Sequence, residues 1–235
     1  KRQARDDNTL LVNFRSWPGG GRYPTTVWRP GEVLLDRYRL QLPDEVSALQ
    51  VWNLDLLVLR SEHAEGGDER LSAVVEGVPD GTAVTLTRLR VLPSASAQPP
   101  SEALLAAPPA FGPHREVILR AAQISEAGAM LRVGLWWQVE QPLGDDYTVF
   151  VHLMDENRQV MAAGDDIPLR GAMPTYYWRK GDLIADEYRV PLPGDAARCG
   201  CWVEVGFYRA DGRLPAWGAD GRPLPDAAAI IGDWR

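Results

Sequence analysis

Residues 174–193 read PTYYWRKGDLIADEYRVPLP, and residues 24–43 read PTTVWRPGEVLLDRYRLQLP. The two align without a gap at a separation of 150 residues. Identities fall at Pro24/Pro174, Thr25/Thr175, Trp28/Trp178, Arg29/Arg179, Gly31/Gly181, Asp36/Asp186, Tyr38/Tyr188, Arg39/Arg189, Leu42/Leu192 and Pro43/Pro193. Upstream, DDNTLLVNF (6–14) matches DDYTVFVHL (145–153) at a separation of 139, so the second copy carries 11 more residues between the two blocks. Downstream, LQVWNLDLLVLR parallels RCGCWVEVGFYR. Self-similarity at a fixed separation makes each copy one folding unit, and the more complete copy decides the fold.

The second copy reads as strands. HREVILRAAQI, MLRVGLWWQVE, DYTVFVHLMD, RQVMAAG, DLIADEYRVPL, CWVEVGFYR and AIIGDWR are short, β-branched and aromatic, and they are separated by turn-forming runs such as EAG, QPLGDD, RKG and RADG. Seven such segments predict an antiparallel sandwich. No segment sustains an apolar period of 3.6 residues, EVILRAAQISEA being the one ambiguous stretch. The first copy begins almost directly at DDNTLLVNF, without counterparts of the first two strands. The expected architecture is therefore all-β: tandem antiparallel β-sandwich domains, Ig-like or jelly-roll-like, with the first copy N-terminally incomplete. The first copy spans 1–93, a Pro/Ala/Ser-rich linker 94–113, and the complete second copy 114–235. Three things can cover the gap in the first copy: residues upstream in a longer polypeptide, the linker segment SEALLAAPPAF folding back, or a strand from a neighbouring subunit. The first is the expectation.

Composition agrees with this and narrows the function. Glycine (22) and proline (19) punctuate the chain often, while 45% hydrophobic residues leave material for cores. The net charge of -7 comes from interspersed acidic and basic residues with no basic stripe, so nucleic acid is not an expected partner. No apolar run approaches the roughly 18–20 residues of a membrane helix, and KRQARDDNTLL lacks the core of a signal peptide. A targeting or anchoring segment is expected outside this chain. Cys199 and Cys201 are two residues apart, and the preferred reading is a pair of small apolar residues at the start of a strand, with a strained disulfide as the alternative.

The motifs LRVGLWWQ, DDYTVFVHLMDE, PTxxWxxGDxxxDxYxxxLP and VEVGFYRADGRLPAW resemble a module at the C-terminal ends of multi-pass membrane glycosyltransferase-like proteins, and of other envelope proteins, in filamentous phototrophic and related bacteria. The resemblance covers nearly all of the second copy and most of the first. It implies an extracytoplasmic, membrane-associated location and a β-sandwich architecture, and it carries no catalytic residues. The first copy departs from it where NFRSWPGGG stands against HLMDENRQVMAAG.

Strand alternation sorts the candidate site residues. Leu131, Val133, Leu135, Trp137 and Val139 share one face, assigned to the core, against Arg132, Gly134, Trp136, Gln138 and Glu140; Cys201, Val203, Val205 and Phe207 oppose Trp202, Glu204, Gly206 and Tyr208. Phe150, His152 and Met154 are assigned to the same outer surface. Trp136, Gln138, Phe150, His152, Trp202, Glu204 and Tyr208 thus form a candidate ligand or partner face. Packing against protein is the favoured use of it, and a carbohydrate platform the alternative. In the first copy Asn13 and Asn53 replace His152 and Trp202, so any sugar would bind the second copy. Trp28, Asp36, Tyr38, Trp178, Asp186 and Tyr188 form the structural signature of the repeat: Trp covers a sheet, Tyr is a buried ring with a hydrogen-bonded hydroxyl, and Asp caps a turn or pairs with Arg29 or Arg179.

Catalytic patterns are missing. Three histidines (His63, His114, His152) stand without a GxSxG, HExxH or phosphate-binding loop, and Asp155, Glu156, Asp165 and Asp166 lack a DxDxDG calcium frame. No cofactor and no metal are expected. The sequence points to a non-catalytic accessory or assembly module that meets a protein partner or the remainder of a larger membrane protein.

Overall fold

The computed structural model describes residues 14–41, 49–60, 69–75, 78–79, 81–92, 98–192 and 200–234. The chain divides into two compact units, 1–46 and 47–235. The described fold is all-β: strands dominate, and its helical pieces are short 3-10 turns. The DDNTLLVNF block up to Asn13, His63 and Cys199 lie outside the described residues.

In the second unit, β1 (Gln50–Leu56), β2 (Leu59–Arg60), β3 (Glu69–Arg70), β4 (Val74–Val75), β5 (Val78–Pro79) and β6 (Val84–Val91) form three two-stranded ribbons, β1 pairing with β6. They are followed by β7 (Ala110–Phe111), β8 (Val117–Ala127), β9 (Met130–Val139), β10 (Thr148–Met154), β11 (Val160–Ala163), β12 (Leu183–Pro191), β13 (Cys201–Arg209), β14 (Gly212–Arg213), β15 (Ala216–Trp217) and β16 (Ala229–Trp234). One five-stranded sheet has the order β12-β9-β8-β7-β15; the other runs β11-β10-β13-β14, with β16 also on β13. Every pairing is antiparallel. All seven segments predicted from 114–235 are strands, and the ambiguous EVILRAAQISEA stretch lies largely in β8. It turns into β9 through a two-residue loop in which Gly128 takes φ +62, a conformation that suits glycine in a tight hairpin.

The core follows from period-two patterning. Leu131, Val133, Leu135, Trp137 and Val139 of β9 are fully buried, as are Val203, Val205 and Phe207 of β13. Phe207 is the hub of the aromatic cluster, with ring centroids 4.8 Å from Trp137, 5.3 Å from Phe111 and 6.0 Å from Trp178.

Phe111 requires a correction to the linker. Within 94–113, Ser101–Ala103 forms a 3-10 turn, Leu104 bridges Ala121, and β7 pairs with both β8 and β15. This segment is part of the second sandwich, so it does not fold back on the first copy. Its Pro/Ala/Ser composition conceals one aromatic with a complete burial site, and that burial outweighs the extended tendency of the prolines.

The boundary also differs from the one drawn at residue 93. Leu49 packs in the sandwich core, Val51 N donates to Ala172 O at 2.7 Å, and Arg90 Nη2 binds both oxygens of Asp182 at 2.6 and 2.8 Å. Leu49, β1 and β6 are thus held by long-range contacts with the second copy.

Residues 14–41 repeat a hydrogen-bond pattern found 150 residues later. Gly19 N donates to Asp36 Oδ2 and Leu169 N to Asp186 Oδ2, each at 2.8 Å. The indole of Trp28 donates to Tyr23 O at 3.2 Å, and that of Trp178 to Met173 O at 3.0 Å. Arg29 N is bound by Glu32, and Arg179 N by Asp182. Packing diverges, and the described residues of the first copy do not form a sandwich. The counterpart of β12 pairs with no described strand, leaving Val33 93% and Leu35 82% exposed, and Trp28 and Tyr38 are about half exposed. That corrects the expectation of a buried Trp28 and Tyr38: Trp178 and Tyr188 lie in the sandwich core, and their counterparts have no described core around them.

Asp186 caps the Pro168–Gly171 turn and does not pair with Arg179; its oxygens take the backbone N–H groups of Leu169 and Glu187. Burial raises its pKa against the lowering effect of the Tyr188 hydroxyl and of these two backbone bonds. Nearby Tyr188 is buried beside the Asp186 carboxylate, and burial, followed by the charge of Asp186 and the side-chain hydrogen bond to it, pushes the tyrosine pKa well above 10.0. The folded chain therefore holds this proton more tightly than the unfolded chain. The resulting stability is complete below about pH 10 and is lost as pH rises through the folded value. Tyr188→Phe is expected to flatten the alkaline fall in urea-unfolding free energy; an unchanged alkaline limb would contradict this assignment.

Candidate functional site

The sandwich separates the predicted face. Trp136 and Gln138 project from β9, outside the first sheet, where Trp136 lies over Gly134 and is paired across strands with Ala121 and Ala185. Phe150, His152, Trp202, Glu204 and Tyr208 project from β10 and β13, outside the second sheet. Because the inward faces of both sheets share one core, their outward faces point away from each other. A single seven-residue face is thereby corrected to two. Alternation reveals which side of a strand a residue occupies, and the sheet to which the strand belongs is a property of topology.

On the second sheet, β10 and β13 place Phe150 beside Gly206 and His152 beside Glu204 in register. The missing side chain at Gly206 lets the Phe150 ring lie on the sheet. Arg213 is brought above that ring, with Cζ 4.3 Å from its centroid, by the ADG hairpin that pairs β14 with β13. Its Nη1 donates to Asp226 O at 2.8 Å. Phe150 is consequently fully buried, which removes it as an exposed stacking platform.

His152 lies between two carboxylates. Its Nε2 is 3.1 Å from Asp165 Oδ1, and its Nδ1 is 3.9 Å from Glu204 Oε1, too far for a hydrogen bond. That Nδ1 is buried without a partner. Burial, reinforced by the Asp165 charge, raises the pKa of neighbouring Tyr208. Beside this cluster opens a cleft of about 360 Å³ lined by Met154, Arg158, Val160, Glu204, Arg213 and Asp226.

Arg158, Arg213 and Asp226 were missed in the sequence because they come from three loops or hairpins. Arg213 alone had a readable signal: the RADGR hairpin folds it back opposite Tyr208. Among the described residues no group of three or more His, Cys, Asp or Glu side chains is placed to hold a metal ion. Cys201 is disulfide-bonded, correcting the reading of two plain apolar residues.

No helix among the described residues is long and apolar enough to cross a membrane. Comparison with protein-family models, curated proteins and solved structures finds no match.

Proposed function

We propose that the chain is a non-catalytic accessory module that works outside the cytoplasm, docking through residues 14–92 on a protein partner or on the rest of a larger membrane-associated protein. The observation carrying this reading is the uneven distribution of exposed apolar side chains. Trp17 (64%), Val33 (93%) and Leu35 (82%) stand exposed in the first unit, and Leu57, Val58 and Leu86 in the ribbons of the second. The strands of the second sandwich, by contrast, turn most of their large side chains inward. Surface apolar groups in such concentration mark sites of protein contact. A disulfide at Cys201 supports an oxidising compartment.

The test is site-specific photocrosslinking in the native host, with a photoreactive amino acid at Leu35 or Leu86 and a control at Arg132 on the sandwich. A discrete adduct from the first two positions and none from the control, recovered in the envelope fraction, is the expected result. Absence of adducts at both apolar positions, or recovery from the cytosol, overturns the reading.

A further inference from the structure

We infer that the cleft on the outer face of the second sheet binds one sugar residue, held through its hydroxyls by Glu204, Arg158 and Arg213. The proposal is independent of docking through residues 14–92, since it uses none of those residues.

Glu204 is 8% exposed and lines the cleft, and its carboxylate accepts no hydrogen bond from the described residues. Its nearest polar neighbour with an assigned contact is His152 Nδ1, at 3.9 Å. A carboxylate that opens on a cleft without a protein donor takes its hydrogen bonds from whatever fills the cleft, and a ligand hydroxyl can supply one. Arg158 lines the same cleft, and among the described residues its guanidinium makes neither a hydrogen bond nor an ion pair. The two opposite charges therefore share a wall without pairing with each other. Arg213 is already fixed by the Phe150 ring and the Asp226 carbonyl, so its remaining donors are preorganised.

The ligand class follows from what these groups lack. Glu204 needs a donor and Arg158 an acceptor, and a hydroxyl is both. A purely anionic ligand leaves Glu204 unsatisfied, and a cationic one leaves the guanidiniums so. The charged groups of the lining balance, with Arg158 and Arg213 against Glu204 and Asp226, which favours a neutral ligand. Met154 and Val160 supply an apolar wall for the C–H face of a pyranose. A small zwitterionic amino acid satisfies the charges but leaves that wall uncovered. The volume lies near the lower end of the range of about 300–1,000 Å³ typical of small-molecule sites.

Saturation-transfer NMR on the whole 235-residue chain tests the assignment, using methyl glycosides of glucose, galactose and mannose, with cellotetraose, sodium glucuronate and glycine as further probes. Signal from at least one neutral glycoside is expected, weakened about tenfold or more by Glu204→Gln and by Arg158→Ala and retained in Trp136→Ala, which alters the opposite sheet. Arg158 is exposed, so its replacement keeps the test valid if Glu204→Gln fails to fold. Signal from the free glycosides alone identifies a monosaccharide site, and additional signal from cellotetraose a site for residues within a chain; both support the proposal. It is overturned by silence from every neutral sugar, by binding of glucuronate or glycine alone, by binding insensitive to both cleft substitutions, or by loss of binding in Trp136→Ala.

Discussion

Trp178→Ala lowers the stability of the second sandwich by about 3–5 kcal/mol, while Trp28→Ala, at the equivalent position of the repeat, costs about 1 kcal/mol or less. Both indoles donate to a carbonyl five residues upstream, so the local hydrogen bond does not separate them. Burial does. Trp178 is 1% exposed and meets the Phe207 ring edge-on, whereas Trp28 is 45% exposed. Removing Trp178 opens a cavity in the aromatic cluster and orphans the Met173 carbonyl; removing Trp28 gives a carbonyl to solvent. With total stabilities of about 5–15 kcal/mol, the first change takes a large share of the whole. Urea unfolding followed by near-UV circular dichroism measures both, and equal losses would show that Trp28 is as buried as its counterpart.

The contrast between these tryptophans marks what sequence reading could reach. Spacing alone identified the elements of 24–41 and 174–191 that share hydrogen bonds, because caps and short turns are built from neighbours in the chain. The structure adds a turn that the sequence reading had set against a different stretch. PGGG at 18–21 aligns with PLRG at 168–171, and three glycines in the first copy signal positive φ at positions where the second uses Leu169 and Arg170, at φ 51 and 54. Burial of Trp178, in contrast, depends on contact with Phe207 of β13, a strand that comes later in the chain, and local sequence carries no such information. The faces of β9 and β13 were readable for the same local reason: adjacent side chains on a strand point to opposite sides. The candidate site was less legible. Trp136 and Trp202 were each correctly placed outside a strand, but the strands belong to different sheets, and the cleft beside Glu204 is completed by Arg158, Arg213 and Asp226, whose convergence is set by the return of β14 and β16 to β13.

Gly206 is where that convergence is most exposed to failure, and Gly206→Ala is expected to cost about 1–3 kcal/mol. Its backbone is ordinary extended strand, for which alanine carries no conformational penalty and would by itself be the better residue. The cost is steric. A Cβ at this position would lie 2.5 and 2.6 Å from Cζ and Cε1 of Phe150 and 2.8 Å from the carbonyl oxygen of Ala227. Neither neighbour yields readily. The Phe150 ring is fully buried under Arg213 and beside His152, at 4.9 Å between centroids, and Ala227 belongs to a short turn that leads into β16. Shifting Phe150 would carry Arg213 away from Glu204, so sugar binding should weaken together with stability if the cleft is the site. A double-mutant cycle with Phe150→Leu separates sterics from any other cause. The smaller branched side chain vacates the contested space, and Gly206→Ala should cost at least about 1 kcal/mol less in that background than in the natural chain. Strictly additive losses, or a Gly206→Ala variant as stable as the parent, would show that the ring does not need the glycine beneath it.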